Sequence, residues 1–231
     1  MALTHHLREN IFQSKKFGEL NKEAEILAKS CRPAKVPSLD HLTMSDYELV
    51  YEPSDDTFLL MDALQYEFDY DNADAKLKLQ RASLIRITLE MGCGSGVGSI
   101  CLAKLLMEQR ERTDEITEKY NVNHYVTDIN ENAIRTTLET ATRNGLCDSA
   151  VNAYKCDLAT PLLDELQDSV DVLLFNPPYV PTPDVDVKGS SIETSWAGGT
   201  DGRLVLDRAL PQIAHLLSWP HGVACKFSFT R

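Results

Sequence analysis

Four consecutive residues, Asn176-Pro177-Pro178-Tyr179, carry groups suited to holding a planar NH₂. They follow the apolar run Val170-Asp171-Val172-Leu173-Leu174-Phe175, which reads as a buried parallel strand. The tetrapeptide therefore belongs at a carboxyl strand end, where open α/β sheets bind their ligands. Its prolines lack an N–H and hold φ near one value. Each also pushes the preceding residue out of the helical region. The segment should be stiff and extended, with carbonyls that point outward. A planar NH₂ is a poor nucleophile because its lone pair is delocalised. The Asn176 side-chain oxygen and the Pro177 carbonyl can each accept one of its N–H bonds. That would align the nitrogen lone pair with an electrophile as the new bond forms. Tyr179 offers a flat face for stacking. A plainer reading of the same residues is a proline-rich turn after a strand.

A second constellation lies upstream. Leu84 to Leu89 is a strand candidate that runs into Glu90-Met91-Gly92-Cys93-Gly94-Ser95-Gly96, and a helix is expected over about 97–109. Alternate glycines let the chain turn tightly and approach a ligand closely, and this turn has the strand before it and the helix after it that such a motif requires. Glu90 decides which ligand. A pyrophosphate would be repelled by a carboxylate here, whereas a cationic sulfonium would not, and its ammonium could bind Glu90 directly or through water. That favours S-adenosylmethionine over a dinucleotide. The alternative is a strand-end Glu facing solvent.

The remaining elements follow the same rhythm. Val122 to Thr127 is the next strand, ending at Asp128, where a carboxylate can grip a ribose diol. Asp128 lies further from the glycines than the usual 20 or so residues; a charged insertion, Gln109 to Lys119, accounts for the excess. Asp128 could equally cap the helix expected over about 131–144. Val151 to Cys156 is a third strand, ending at Asp157-Leu158, placed to accept from an adenine amine and to supply apolar contact. A loop from Val180 to Gly202 carries Glu193, Trp196 and four glycines; Trp196 is either a lid or substrate contact or an anchor for the loop. A helix over about 203–217 and a fifth strand over 222–229 complete the pattern. Before the first strand, Val50 to Thr57 leads into a helix ending near Phe68, with Ser54 and Asp55 as candidate caps. Residues 1–45 read as a flexible extension with a polar helix over 14–31, and 46–231 as the catalytic domain.

Composition narrows the partners. A formal charge of −12 and a pI near 4.9 argue against a general nucleic-acid binder, whose affinity rests on Lys and Arg against phosphates. At 43% hydrophobic residues the 231-residue chain can bury a sizeable core. The six cysteines form no C-x-x-C pair, so no metal site is expected, and they read as reduced thiols of a cytosolic or nuclear protein. No run is apolar enough to span a membrane.

Taken together, Glu-x-Gly-x-Gly-x-Gly, Asp128, Asp157 and Asn-Pro-Pro-Tyr resemble a class I S-adenosylmethionine-dependent amino-methyltransferase of the HemK-like branch. The finer match is to the eukaryotic catalytic subunits that methylate a glutamine amide of the class-1 translation release factor. Val-Tyr-Glu-Pro-Ser-Asp-Asp-Thr-Phe-Leu-Leu at 50–60 and Ile-Glu-Thr-Ser-Trp-Ala-Gly-Gly-Thr-Asp-Gly-Arg at 192–203 carry it. The resemblance implies a Rossmann-like α/β sheet with helices on both faces. It puts Thr57, Glu90 and Gly92 at the methionine end of the cofactor, Gly94 also against the cofactor, Asp128 at the ribose, and Asp157 and Leu158 at the adenine. Asn176 would touch cofactor and substrate, with Pro177, Tyr179 and Trp196 at the substrate. A Gly-Gly-Gln target and a small zinc-binding activator subunit are also implied. The family sheet continues past a fifth strand with two more; this chain reaches Arg231 just beyond the fifth, so a shortened sheet is expected. The rival readings are a DNA adenine-N6 or histone lysine methyltransferase, and a non-catalytic form that binds cofactor or partner.

Overall fold

The structure, a computed structural model, describes residues 36–68, 84–112, 122–189 and 192–226. Five short strands carry the apolar runs: β1 (Ile87–Met91), β2 (Asn123–Asp128), β3 (Val151–Lys155), β4 (Val172–Phe175) and β5 (Val223–Lys226). They form one sheet in the order β3-β2-β1-β4-β5 with every pair parallel. Four long helices connect or flank them: α1 (Asp55–Phe68), α2 (Val97–Arg112), α3 (Glu131–Arg143) and α4 (Leu204–Leu216). The Rossmann-like expectation is met strand for strand.

Successive strand side chains point to opposite faces, and β1 and β4 are covered on both. Leu89 and Met91 of β1 and Leu173 and Phe175 of β4 pack against Ala209, Ile213 and Leu216 of α4. On the opposite face Val172 and Leu174 of β4 meet Leu60, Met61 and Leu64 of α1 and Cys101, Leu102 and Leu105 of α2. Val126 of β2 and Val151 of β3 share that face with Ile100 and Ala103 of α2 and Ala141 of α3. Asp171 sets where β1 and β4 begin: its Oδ2 accepts from the backbone N–H groups of Arg86 (2.7 Å) and Ile87 (3.0 Å).

Residues 38 and 41 bond to the α3 region. Ser38 N–H donates to Asn144 Oδ1 at 2.8 Å, Asn144 Nδ2 donates to the Ser38 carbonyl at 2.9 Å, and His41 lies 3.3 Å from the Thr140 hydroxyl. The cap of α3 is Asn130, whose side chain accepts from the Asn132 N–H, and not Asp128. The expected helix over 14–31, the end of the charged run to 119 and the end of the fifth strand to 229 lie outside the described residues. Among the described residues no helix is long and apolar enough to cross a membrane.

Leu173 is fully buried on the central strand β4, between β1 and β5. Leu173→Ala is expected to lower unfolding free energy by about 2–5 kcal/mol, read from the midpoint of urea denaturation.

Candidate active site

The strand order reverses between β1 and β4, and such a switch point opens a crevice at the carboxyl ends. Met91 of β1 pairs with Phe175 of β4. The residues that follow them, Gly92 and Asn176, therefore leave the sheet side by side. A cleft of about 400 Å³ lies there, within the roughly 300–1,000 Å³ of small-molecule sites. Every candidate residue from the sequence lines it: Thr57, Glu90, Gly92, Gly94, Asp128, Asp157, Leu158, Asn176, Pro177, Tyr179 and Trp196.

The glycine turn takes the left-handed path that glycine permits, with φ of +67°, +53° and +80° at Gly92, Gly94 and Gly96. The turn rests on the small-residue face of α3, where the hydroxyls of Thr137 and Thr140 donate to the carbonyls of Gly94 (3.2 Å) and Ser95 (2.8 Å). Asp128, at the end of β2, ties its own strand to this turn. Its Oδ2 accepts from the Gly94 N–H at 3.0 Å and its Oδ1 from the Asn130 N–H at 2.8 Å. Burial raises the Asp128 pKa against the pull of these backbone donors.

Glu90 does not face solvent. It is 6% exposed, inside β1 and one residue from its end. Its Oε2 accepts from the Ser99 N–H at 2.9 Å and the Ser99 hydroxyl at 2.5 Å. A Cβ on Gly98 would press on Oε1, so any larger residue there would have to displace the Glu90 carboxylate. Burial pushes the Glu90 carboxyl up to about 7; the Ser99 bonds oppose this and the Asp128 charge adds to it.

Just past β3, Asp157 Oδ2 accepts from the Arg208 guanidinium of α4. Leu158 follows at φ +54°, a left-handed conformation for a branched side chain, which costs of the order of 1–3 kcal/mol and is held by its surroundings. Leu158 is 8% exposed within the α4-side core and still lines the cleft.

The Asn-Pro-Pro-Tyr segment leaves β4 as expected, with Pro177 buried. Asn176 Nδ2 donates to Asp56 Oδ2 at 3.0 Å, and the Tyr179 hydroxyl donates to the same oxygen at 3.1 Å. Asn176 Oδ1 is buried and has no partner among the described residues. The Trp196 loop is sewn to this segment: Val180 N–H donates to the Trp196 carbonyl at 2.9 Å and Gly198 N–H to the Val180 carbonyl at 2.8 Å. Gly202 passes so close to the Tyr179 carbonyl that a Cβ would strike it. The Trp196 carbonyl thus ties the loop to this segment, and the residue also lines the cleft.

Sequence reasoning missed Asp56, Tyr51, Ile129 and Arg208, all of which line the cleft. Asp56 sits beside Thr57 and carried a local signal; Ser54 donates to it instead of capping the helix alone. Arg208 lies 51 residues from Asp157, and only folding joins them. Four carboxylates (Asp56, Glu90, Asp128, Asp157) and two cations (Lys188, Arg208) line the cleft, so it favours a cationic guest.

The raised Glu90 pKa has a sign that can be checked. Between its ordinary value of 4.5 and about 7, the folded protein holds a proton that the unfolded chain has released. Ligand-free stability should fall as pH rises through that window. In Glu90→Gln that fall should be smaller; urea titrations from pH 4 to 8 that show an unchanged slope would count against the buried carboxyl.

No protein-family model matches the chain. Curated relatives do. Methyltransferase HEMK2 of Homo sapiens is 40% identical over 187 residues, 81% of this chain and 75% of its own length. The eRF1 methyltransferase catalytic subunit mtq2 of Schizosaccharomyces pombe is 34% identical over 187 residues, 79% of this chain and 74% of its own. The putative protein N5-glutamine methyltransferase MJ0928 of Methanocaldococcus jannaschii is 30% identical over 168 residues, 73% of this chain and 66% of its own. With its glycine turn and its Asn-Pro-Pro-Tyr segment meeting at one cleft, the chain belongs to the HemK-like family of methyltransferases that includes HEMK2 and mtq2.

Proposed function

We propose that this chain uses S-adenosylmethionine to methylate the side-chain amide nitrogen of a glutamine, in the Gly-Gly-Gln segment of a class-1 translation release factor. The observation that carries this reading is the buried, unpartnered Oδ1 of Asn176 in a cleft rich in carboxylates. An acceptor in that position suits a guest that brings N–H bonds. The printed names of mtq2, an eRF1 methyltransferase catalytic subunit, and of MJ0928, a putative protein N5-glutamine methyltransferase, support the same substrate class.

The lining residues fit the cofactor. Glu90 is the carboxylate for an ammonium, and Thr57 stands at the same end. Asp128 keeps lone pairs for ribose hydroxyls beyond those given to Gly94 and Asn130. Ile129 and Leu158 supply apolar contact for a base, and the Asp157 oxygen not bonded to Arg208 can accept from an exocyclic amine. When bound, S-adenosylmethionine supplies an electrophilic methyl on a cationic sulfonium.

The chain's own groups prepare the nucleophile. Asn176 Oδ1 and the Pro177 carbonyl accept the two N–H bonds of the amide, which resists delocalisation of its lone pair. Tyr179 stacks on the amide plane, and burial excludes water from the pair. Catalysis is then positioning, worth about 7–11 kcal/mol where geometry is good. No side chain need take the proton before transfer, since the methylated product is acidic enough to release it to solvent.

The reading also includes a small zinc-binding activator partner. One feature agrees with it: β3 pairs only with β2 among the described residues, so its outer N–H and C=O groups form an open edge that a partner strand can cover.

Asn176→Ala should lower transfer to the release factor by about 10²–10³-fold, on the scale of losing one preorganised catalytic hydrogen bond. Calorimetry should show cofactor affinity within a few-fold of the parent. Cofactor affinity should rise as pH passes upward through about 7, because Glu90 must be ionised to hold an ammonium, and Glu90→Gln should flatten that rise. Transfer to DNA oligomers or histone lysine in preference to the release factor, with the activator present, would overturn the substrate assignment.

A further inference from the structure

We propose that Asp56 is the positioning residue of this site: its carboxylate fixes which way the Asn176 amide is turned, and so makes the cleft accept N–H donors. The inference rests on the amide-methylation reading above and adds to it a residue that sets the polarity of the site.

Asp56 is the second residue of α1 and is 7% exposed. A buried carboxylate needs donors on both oxygens. Here neutral groups supply them. Oδ1 accepts from the Ser54 hydroxyl at 2.8 Å and from the Thr57 N–H at 2.7 Å. Oδ2 accepts from Asn176 Nδ2 and from the Tyr179 hydroxyl. The Ser54 proton is spent on Asp56, so the Tyr51 hydroxyl, 2.8 Å away, donates to Ser54 and braces it. Burial raises the Asp56 pKa, but the bonds from Asn176, Ser54, Thr57 and Tyr179 outweigh it and hold the group below its ordinary range. The amino end of α1 also favours the charge.

The consequence is chemical. An asparagine amide is nearly symmetric in shape, and its oxygen and nitrogen can exchange places by a half-turn at little steric cost. An ionised carboxylate accepts and cannot donate. It therefore draws the Asn176 NH₂ to itself and leaves Oδ1 as the unpartnered acceptor. With the amide reversed, an NH₂ would meet the substrate NH₂, donor against donor, and the nitrogen would not be held. Asp56 clasps the Tyr179 hydroxyl as well, so one carboxylate sets both the acceptor and the stacking ring. Burial first, then this bond, push the Tyr179 hydroxyl up to about 12, so it remains a donor.

The test is a comparison of three proteins with release factor as substrate and the activator present. Asp56→Asn keeps the shape but can donate as well as accept, so the turn of Asn176 is no longer enforced. Asp56→Glu keeps an acceptor-only group. The expected order of kcat is parent, then Asp56→Glu, then Asp56→Asn. The Asn variant should lie at least 30-fold below the parent, with cofactor dissociation constant and melting temperature close to the parent's. A purely structural clasp would instead move the melting temperature and the affinity together. Asp56→Asn turning over within threefold of the parent, or faster than Asp56→Glu, overturns the proposal. A measurement on the unmutated protein guards against variants that do not fold. The Asn176 side-chain NH₂, assigned by its loss in Asn176→Asp, should show one proton shifted downfield and slow to exchange with solvent. An amide signal without that shift overturns the role of Asp56. A parent protein with this signal but no transfer to the release factor overturns the substrate reading and leaves the Asp56–Asn176 contact standing.

Discussion

Met91 and Phe175 stand side by side in the sheet, and the chemistry of this protein depends on that pairing. It is a backbone constraint, made of parallel ladder bonds between β1 and β4. Because of it, a glycine turn and a proline-locked rim separated by about eighty residues leave the sheet at the same level. The helices that cover the two faces fix the pair from both sides. α4 packs under Met91 and Phe175, and α1 packs over Val172 and Leu174 while delivering Asp56 and Thr57 to the mouth of the cleft. Fold and site are thus one object: the residues that fill the core are the alternate neighbours of those that line the cleft.

Apart from Asp157, which pairs with Arg208, the carboxylates of the cleft are held by neutral donors among the described residues. Glu90 is held by Ser99, Asp128 by backbone N–H groups, and Asp56 by three hydroxyls, a backbone N–H and an amide. These donors differ in how well they offset desolvation. At Asp56 the hydrogen bonds win and the carboxyl is held ionised; at Glu90 burial wins and the carboxyl sits near 7. Two acids in one cleft therefore take different parts. One is a fixed acceptor that orients its neighbours. The other gains most from a cationic guest, which would offset the desolvation that the protein alone leaves standing.

Much of this was legible from residue order. The strand over 170–175, the glycine turn and the helix after it appear where the apolar runs and breakers put them, because a strand buried on both faces must be apolar throughout. The candidate residues converge because ligands in such sheets gather at carboxyl ends. Where residue order left two local solutions open, the fold chose between them. Asp128 and Asn130 both suit a helix cap, and Asn130 takes it because Asp128 is drawn to the Gly94 N–H. For Glu90 the solvent-facing alternative is the one removed: the carboxyl is buried, since α2 starts close enough to bring Ser99 to it.

By itself the sequence determined the element order, the apolar faces and the motifs, since each is written in residues near one another along the chain. Periodicity and proline or glycine stereochemistry act over a few bonds. Only the tertiary structure decided which acids are charged, which way the Asn176 amide turns, and that Arg208 meets Asp157. Those outcomes depend on desolvation and on donors brought from distant segments. Asp56 and Asn176 are 120 residues apart, and no local pattern records that one oxygen of the first holds the nitrogen of the second.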